Sequence, residues 1–149
     1  MCIRDSSWTD FVGDEYKAFS GTAVYTTTIN KVPVADVIKL DLGSVAENAS
    51  VYLNGDYIGT VIDSPYQLYI PAEKFKGQDE LVVRVANSMA NRIAYMDKKG
   101  VDWKIFYNVN MSARKKENVK NGIFDASDWE PKSSGLLGPV TLTPAMVKQ

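Results

Sequence analysis

The chain has 149 residues, a net charge of −1 and no histidine. That length is one ordinary domain, able to bury roughly two-thirds of its unfolded surface. The charge balance argues against a general nucleic-acid footprint, and no apolar run approaches the ~20 residues that span a bilayer. The missing histidine excludes Ser-His-Asp, Cys-His and His-ligated zinc chemistry.

The first residues, Met1-Cys2-Ile3-Arg4-Asp5-Ser6, read as the translation of a transposase-type sequencing adapter. The alternative is a genuine unstructured terminus. On the adapter reading, residues 1–6 carry no biological meaning and the chain is a fragment of a metagenomic gene whose upstream part is lost. The rest, residues 7–149, then forms a single domain with no cysteine and no need of a disulfide. Any signal peptide belongs to the lost part.

Phe19–Ile29 is a strand-like run opened by Ser20-Gly21. In Val37–Leu42 the apolar Ile38, Leu40 and Leu42 alternate with Lys39 and Asp41, the period of two that marks a half-buried strand. Asn54-Gly55 then sits between runs rich in β-branched and aromatic residues. Both residues tolerate the positive φ of a type I′ turn, so Val51–Leu53 and Tyr57–Val61 are expected to pair antiparallel. Pro65 restarts the chain in an extended conformation, which makes Tyr66–Ile70 the next strand. Pro71–Phe75 fits a single helical turn ended by Lys76-Gly77. Glu80–Val85 alternates again, and Leu136–Leu142 supplies a last strand. Short strands with Gly, Pro and Asn punctuation and no sustained helical period predict an all-β sandwich or jelly roll. The Thr22–Ile29 and Gly138–Leu142 strands are expected to lie close together.

The ordered set of motifs resembles the sugar-binding-like (galactose-binding-like) jelly-roll domain of glycoside hydrolases of family two and of the rhamnosidase type. The matching residues are Phe19–Tyr25, Leu40-Asp-Leu-Gly43, Val51–Gly55 with Gly59, Pro65-Tyr66, Glu80–Val85, Asn87 with Asn91-Arg92, and Ser134–Val140. They span about Trp8 to Leu142. The resemblance implies a non-catalytic sandwich fused to a catalytic barrel, often at its C-terminal end. It also implies two partners, a glycan and the catalytic domain of the same parent chain, in a periplasmic or extracellular setting. Nucleic acid and membrane are not expected partners. The departure from the pattern is a long excursion, residues 88–133, where a short connection belongs.

That excursion holds the residues with chemistry. A glycosidase needs two carboxyls ~5–9 Å apart, one with a raised pKa. Asp125, Asp128 and Glu130, within six residues and beside Ser127 and Pro131, instead predict a solvated turn. Sugars present flat C–H faces that stack on aromatic rings, with hydroxyls that seek Asn, Asp and Arg at the rim. Trp103, Tyr107 and Trp129, with Asn91 and Arg92 at the root of the excursion, are the candidate carbohydrate-binding residues. The competing reading is that these rings cap the sandwich or pack on a neighbouring domain. Asn87 and Arg92 are expected to hold backbone carbonyls or a carboxylate in place. Ser112–Lys120 fits a short helical turn, and Arg114-Lys115-Lys116 a solvated surface. Asp97 and Asp102 lack the ligand spacing of a calcium loop, so neither metal nor cofactor is expected.

Overall fold

The computed structural model describes residues 6–106 and 115–145. In chain order its elements are α1 (Asp14–Lys17), β1 (Thr22–Ile29), β2 (Val37–Asp41), β3 (Ser44–Ala46), β4 (Asn48–Leu53), β5 (Asp56–Val61) and β6 (Gln67–Pro71). They continue with β7 (Asp79–Ala86), α2 (Ala90–Lys98), β8 (Val119–Lys120), β9 (Ile123–Phe124), β10 (Gly135–Gly138) and β11 (Thr141–Ala145), with short 3-10 turns between some of them. The fold is an all-β sandwich of antiparallel strands. The chain divides into two units. The first takes the residues up to Trp8, Gly21–Asn87 and those from Ser134 on; the second takes Thr9–Ser20 and Ser88–Ser133.

The first unit carries a four-stranded sheet in the order β1-β7-β4-β5, a three-stranded sheet in the order β11-β2-β6, and the pair β10-β3. Alternation decides which side chains go inside. In β7, Asp79, Leu81, Val83 and Val85 are buried while Glu80 and Arg84 are exposed. In β4 the buried set is Ala49, Val51 and Leu53, and in β2 it is Ile38 and Leu40. Leu40 and Ile70 of the three-stranded sheet share one core with Val51, Leu53, Leu81, Val83 and Val85 of the four-stranded sheet. Each such side chain contributes about 1.5–3 kcal/mol on burial.

The Asn54-Gly55 turn forms as expected, with φ of 53° and 86°. Leu53 pairs with Asp56 across it. One extra residue then enters β5, so Val51 faces Gly59 while Tyr52 faces Tyr57. The expected last strand is instead two strands in two sheets. Gly138 takes a positive φ and Pro139 has no N–H to give, so the ladder stops there and β11 restarts beside β2. Gly43 meets this corner so closely that a Cβ on it would lie 2.4 Å from the Gly138 carbonyl carbon. Strand β3 has three residues, too few for alternation to be read. The expected proximity of β1 and the end of the chain takes a specific form. They do not pair. Tyr25 Oη of β1 accepts the Leu136 N–H at 3.1 Å, and Tyr25 and Val140 line one small cavity.

Four residues at the borders of this unit are tied to one another. Asn87 Oδ1 accepts the Gly21 N–H at 3.0 Å, and the Asn87 N–H donates to the Gly21 carbonyl at 3.2 Å. Asn87 Nδ2 donates to Ser134 Oγ at 3.1 Å. The Trp8 N–H and Ser7 Oγ both donate to the Ser134 carbonyl, and the Ser134 N–H returns to Ser7 Oγ at 2.8 Å. Asn87 thus holds the Gly21 carbonyl through its own N–H, within the expected role, and holds the Gly21 amide and the Ser134 hydroxyl through its side chain.

A buried carboxylate fixes the hairpin to β7. Asp79 is 1% exposed. It accepts from Asn54 Nδ2 at 2.7 Å and from the amides of Lys76 and Gly77 at 2.8 and 3.0 Å, while Asn54 Oδ1 takes the Glu80 N–H. Burial alone would raise this carboxyl; the bonds from Asn54, Lys76 and Gly77 outweigh it and hold the group below 3.8. A carboxyl whose folded pKa is lowered stabilises the fold fully above its unfolded pKa, and that contribution is lost as the pH falls through the folded pKa. Asp79→Ala is therefore expected to cost about 2–3 kcal/mol at pH 7, and the gap to the wild type should narrow as the pH falls below 4. Urea unfolding of both proteins at pH 7 and pH 3 checks this; an equal gap at both values contradicts it.

Candidate functional site

The second unit holds a helix absent from the sequence reading. Helix α2 is 9 residues long, and its partly buried apolar residues, Ala90, Ile93, Ala94, Tyr95 and Met96, are interleaved with Asn91, Arg92 and Asp97, so its period of 3.6 is short to read. Its end is built by Gly100, which takes φ 67° and donates its N–H to the Asp97 carbonyl, while the Val101 N–H goes to the Met96 carbonyl. Polar side chains organise the rest of the unit. Asn91 is buried and grips Lys132 twice, accepting its N–H and donating to its carbonyl, both at 2.8 Å. The Asp97 carboxylate is 1% exposed. It accepts the Trp103 indole N–H at 2.7 Å, the Ala126 N–H at 2.8 Å and the Lys104 ammonium.

Around Phe124 and Ala126 these bonds gather Ile93, Ala94, Trp103 and Trp129 into a small apolar cluster. Trp129 meets Phe124 edge to face at 5.8 Å between centroids and donates its indole N–H to Asn118 Oδ1 at 2.9 Å. The Trp103 ring carries the Lys104 ammonium 5.0 Å from its centroid. Both indoles are therefore partly buried, with their N–H groups committed inside the unit.

A cleft of about 480 Å³ opens along one side of this cluster. Asn91, Ala94, Tyr95 and Lys98 line it at the i, i+3, i+4 and i+7 spacing of one helix face, and Trp129, Asp128 and Glu130 close another wall. Of the candidate residues, the structure brings Asn91 and Trp129 together here. Trp103 is not on the lining. Arg92 is exposed, with its guanidinium 5.9 Å from the Tyr95 ring centroid. Tyr107 lies outside the described residues, as do Ser112–Arg114; the described part of that expected helical turn is a 3-10 turn at Lys116–Asn118. Tyr95 was missed by sequence reasoning, and its spacing of four from Asn91 finds it only once a helix is assigned. The first unit has a larger cavity of about 540 Å³ lined by Ile29, Val32, Leu81, Val140 and Leu142 with Thr27, Asn30 and Lys31. No aromatic ring and no carboxylate is among its lining residues, so it offers a sugar little.

The acids near Asp125 are held as a turn. Asp125 Oδ1 accepts the N–H and the hydroxyl of Ser127, and Lys120 bridges Asp125 at 3.4 Å and Asp128 at 3.0 Å. The Ser127 hydroxyl, with its amide and Lys120, outweighs burial and keeps the Asp125 carboxyl below its ordinary value. A general acid for glycoside cleavage requires the opposite shift. The cleft itself is lined by the Tyr95 and Trp129 rings together with carboxylates, ammonium groups and the Asn91 amide.

No protein-family model matches the chain. A protein of Formosa agariphila named "Putative beta-glucuronidase" is 34% identical over 151 aligned positions, which cover 91% of this chain and 13% of that protein. The solved rhamnosidase of Novosphingobium sp. PP1Y superimposes with a TM-score of 0.72 at 29% identity over 92% of this chain and 12% of its own. The chain thus spans about an eighth of the length of each.

The buried Asp97 carboxylate is expected to be the main organiser of the second unit. Asp97→Ala should remove about 2–3 kcal/mol of its stability and shift tryptophan emission to longer wavelength as the Trp103 indole loses its acceptor. Fluorescence-detected urea unfolding checks both effects. An unchanged spectrum and midpoint contradict the assignment.

Proposed function

We propose that this chain is a non-catalytic accessory domain of a bacterial glycoside hydrolase, of the sugar-binding-like jelly-roll type found in family two and rhamnosidase-type enzymes. In this reading residues 7–149 are one sandwich domain, with 88–133 as its functional excursion. The carrying observation is coverage: nine-tenths of the chain aligns with about an eighth of two much larger proteins named for glycoside hydrolysis. Glycan contact is assigned to the cleft, where the Trp129 face stacks on a sugar and Asp128, Glu130 and Lys98 meet its hydroxyls.

A second reading rests on a different observation. Phe11, Val12, Tyr16, Phe19 and Met89 of the second unit are all exposed, with Phe11 and Tyr16 in edge-to-face contact at 5.5 Å. Exposed apolar groups in that number suit packing against the remainder of a longer protein. On this reading the domain supports its catalytic partner and touches no sugar.

Titration with monosaccharides and short oligosaccharides, followed by NMR, separates the two. One stacked ring is worth about 1 kcal/mol, so binding is expected to be no tighter than about millimolar. The shifts should gather on α2 and Asp128–Glu130, and Tyr95→Ala and Trp129→Ala should each abolish them. Absence of any shift in the second unit favours the packing role. The polypeptide alone should release no product from aryl rhamnosides, glucuronides or galactosides. Turnover that disappears on Asp128→Asn or Glu130→Gln overturns the proposal.

A further inference from the structure

The outer face of the four-stranded sheet departs from an ordinary solvated strand surface. Register places Val24, Arg84, Ser50 and Thr60 in one row across β1, β7, β4 and β5, and Thr26, Val82, Tyr52 and Tyr57 in the next. The two tyrosines meet edge to face at 5.5 Å between centroids, and the extra residue in β5 is what brings Tyr57 opposite Tyr52. The Arg84 guanidinium lies 5.0 Å from the centroid of Tyr52. Ser50 and Thr60 share a hydrogen bond of 2.8 Å, and Tyr57 Oη joins Thr60 at 2.9 Å. Tyr57 remains 59% exposed. Among the described residues no ion pair engages Arg84.

We infer that this face is a second glycan-binding surface, selective for a sugar chain that carries carboxylates. Tyr57 presents an exposed ring on which a pyranose stacks. The row of hydroxyls, already oriented by one another, meets the sugar hydroxyls at its edge. Arg84 supplies charge complementarity: its guanidinium lies over the Tyr52 ring, and its N–H edges fit a carboxylate in the two-pronged manner that lysine cannot copy. The chemistry therefore fits a uronic acid residue beside the stacked sugar. A protein partner fits less well, because the apolar members of the two rows are Val24 and Val82 and an interface core needs a broader apolar patch. This inference rests on residues of the first unit and is independent of the cleft formed by α2 and Trp129.

The test is an NMR titration of the whole chain with the trimer of α-1,4-linked galacturonic acid and, separately, with neutral galactotriose. Shifts with the acidic trimer are expected at Val24, Ser50, Tyr57 and Arg84. Arg84→Gln should weaken the acidic trimer by about tenfold or more and leave the neutral one unchanged. Tyr57→Ala should weaken both. Each substitution is on an exposed face, and an unchanged thermal midpoint confirms the fold. Equal affinity for the two trimers, shifts confined to the second unit, or indifference to Arg84→Gln each overturns the inference.

Discussion

The hydrogen bonds that converge on Asn87 and Ser134 matter more than their number suggests, because they join the residues at which the chain passes from one unit to the other. Trp8, Gly21, Asn87 and Ser134 are the border residues of the first unit. Asn87 ties Gly21 to Ser134, and Ser134 ties back to Ser7 and Trp8. Each bond contributes about 1 kcal/mol net, and more is lost when a buried partner is left unmade. A sandwich pinned in this way tolerates long insertions, since the entropy of closing a loop grows only with the logarithm of its length. Residues 9–20 and 88–133 leave and rejoin the first unit at these positions. The frame leaves them room to vary without disturbing the core of Leu40, Val51, Val83 and Val85.

The second unit solves its folding problem differently. Among the described residues its buried apolar side chains are Ala18, Phe124 and Ala126, far fewer than those of the sandwich. Specificity comes instead from satisfied polar groups, with Asp97 and Asn91 each fixing backbone distant in sequence. Buried polar groups of this kind specify one arrangement strongly and tolerate little loss, because an orphaned partner costs more than the bond contributes. The chemistry of the cleft follows from that economy. The Trp129 N–H is committed to Asn118, so hydrogen bonding within the cleft falls to its neighbours.

The strands of the sandwich were legible because burial on one face writes a period of two, as in Ile38-Lys39-Leu40 and Leu81–Val85, and because Asn54-Gly55 demands one kind of turn. Three features were not. Helix α2 hid because it is only 9 residues long and because Asn91 and Asp97, which make polar contacts, interrupt its apolar residues. The split of Leu136–Leu142 hid because a run of apolar residues does not reveal that Gly138-Pro139 moves it between sheets. The outer face of the sheet hid because Tyr52, Tyr57 and Arg84 become neighbours only through strand register and the extra residue in β5. Composition singled out Trp103 and Trp129 together. It gave no sign that Trp103 turns to Asp97 while Trp129 lines a cleft.

The dependence of the fold on Asn87 is open to direct measurement by amide hydrogen exchange of Asn87→Ala against the wild type. The Gly21 and Ser134 amides should lose protection by at least about tenfold, equivalent to 1.4 kcal/mol, while Val83 and Val85 in the centre of β7 keep theirs to within the change in global stability. Unchanged protection at Gly21 and Ser134 would contradict it, and the border residues would then be held by something other than this cluster.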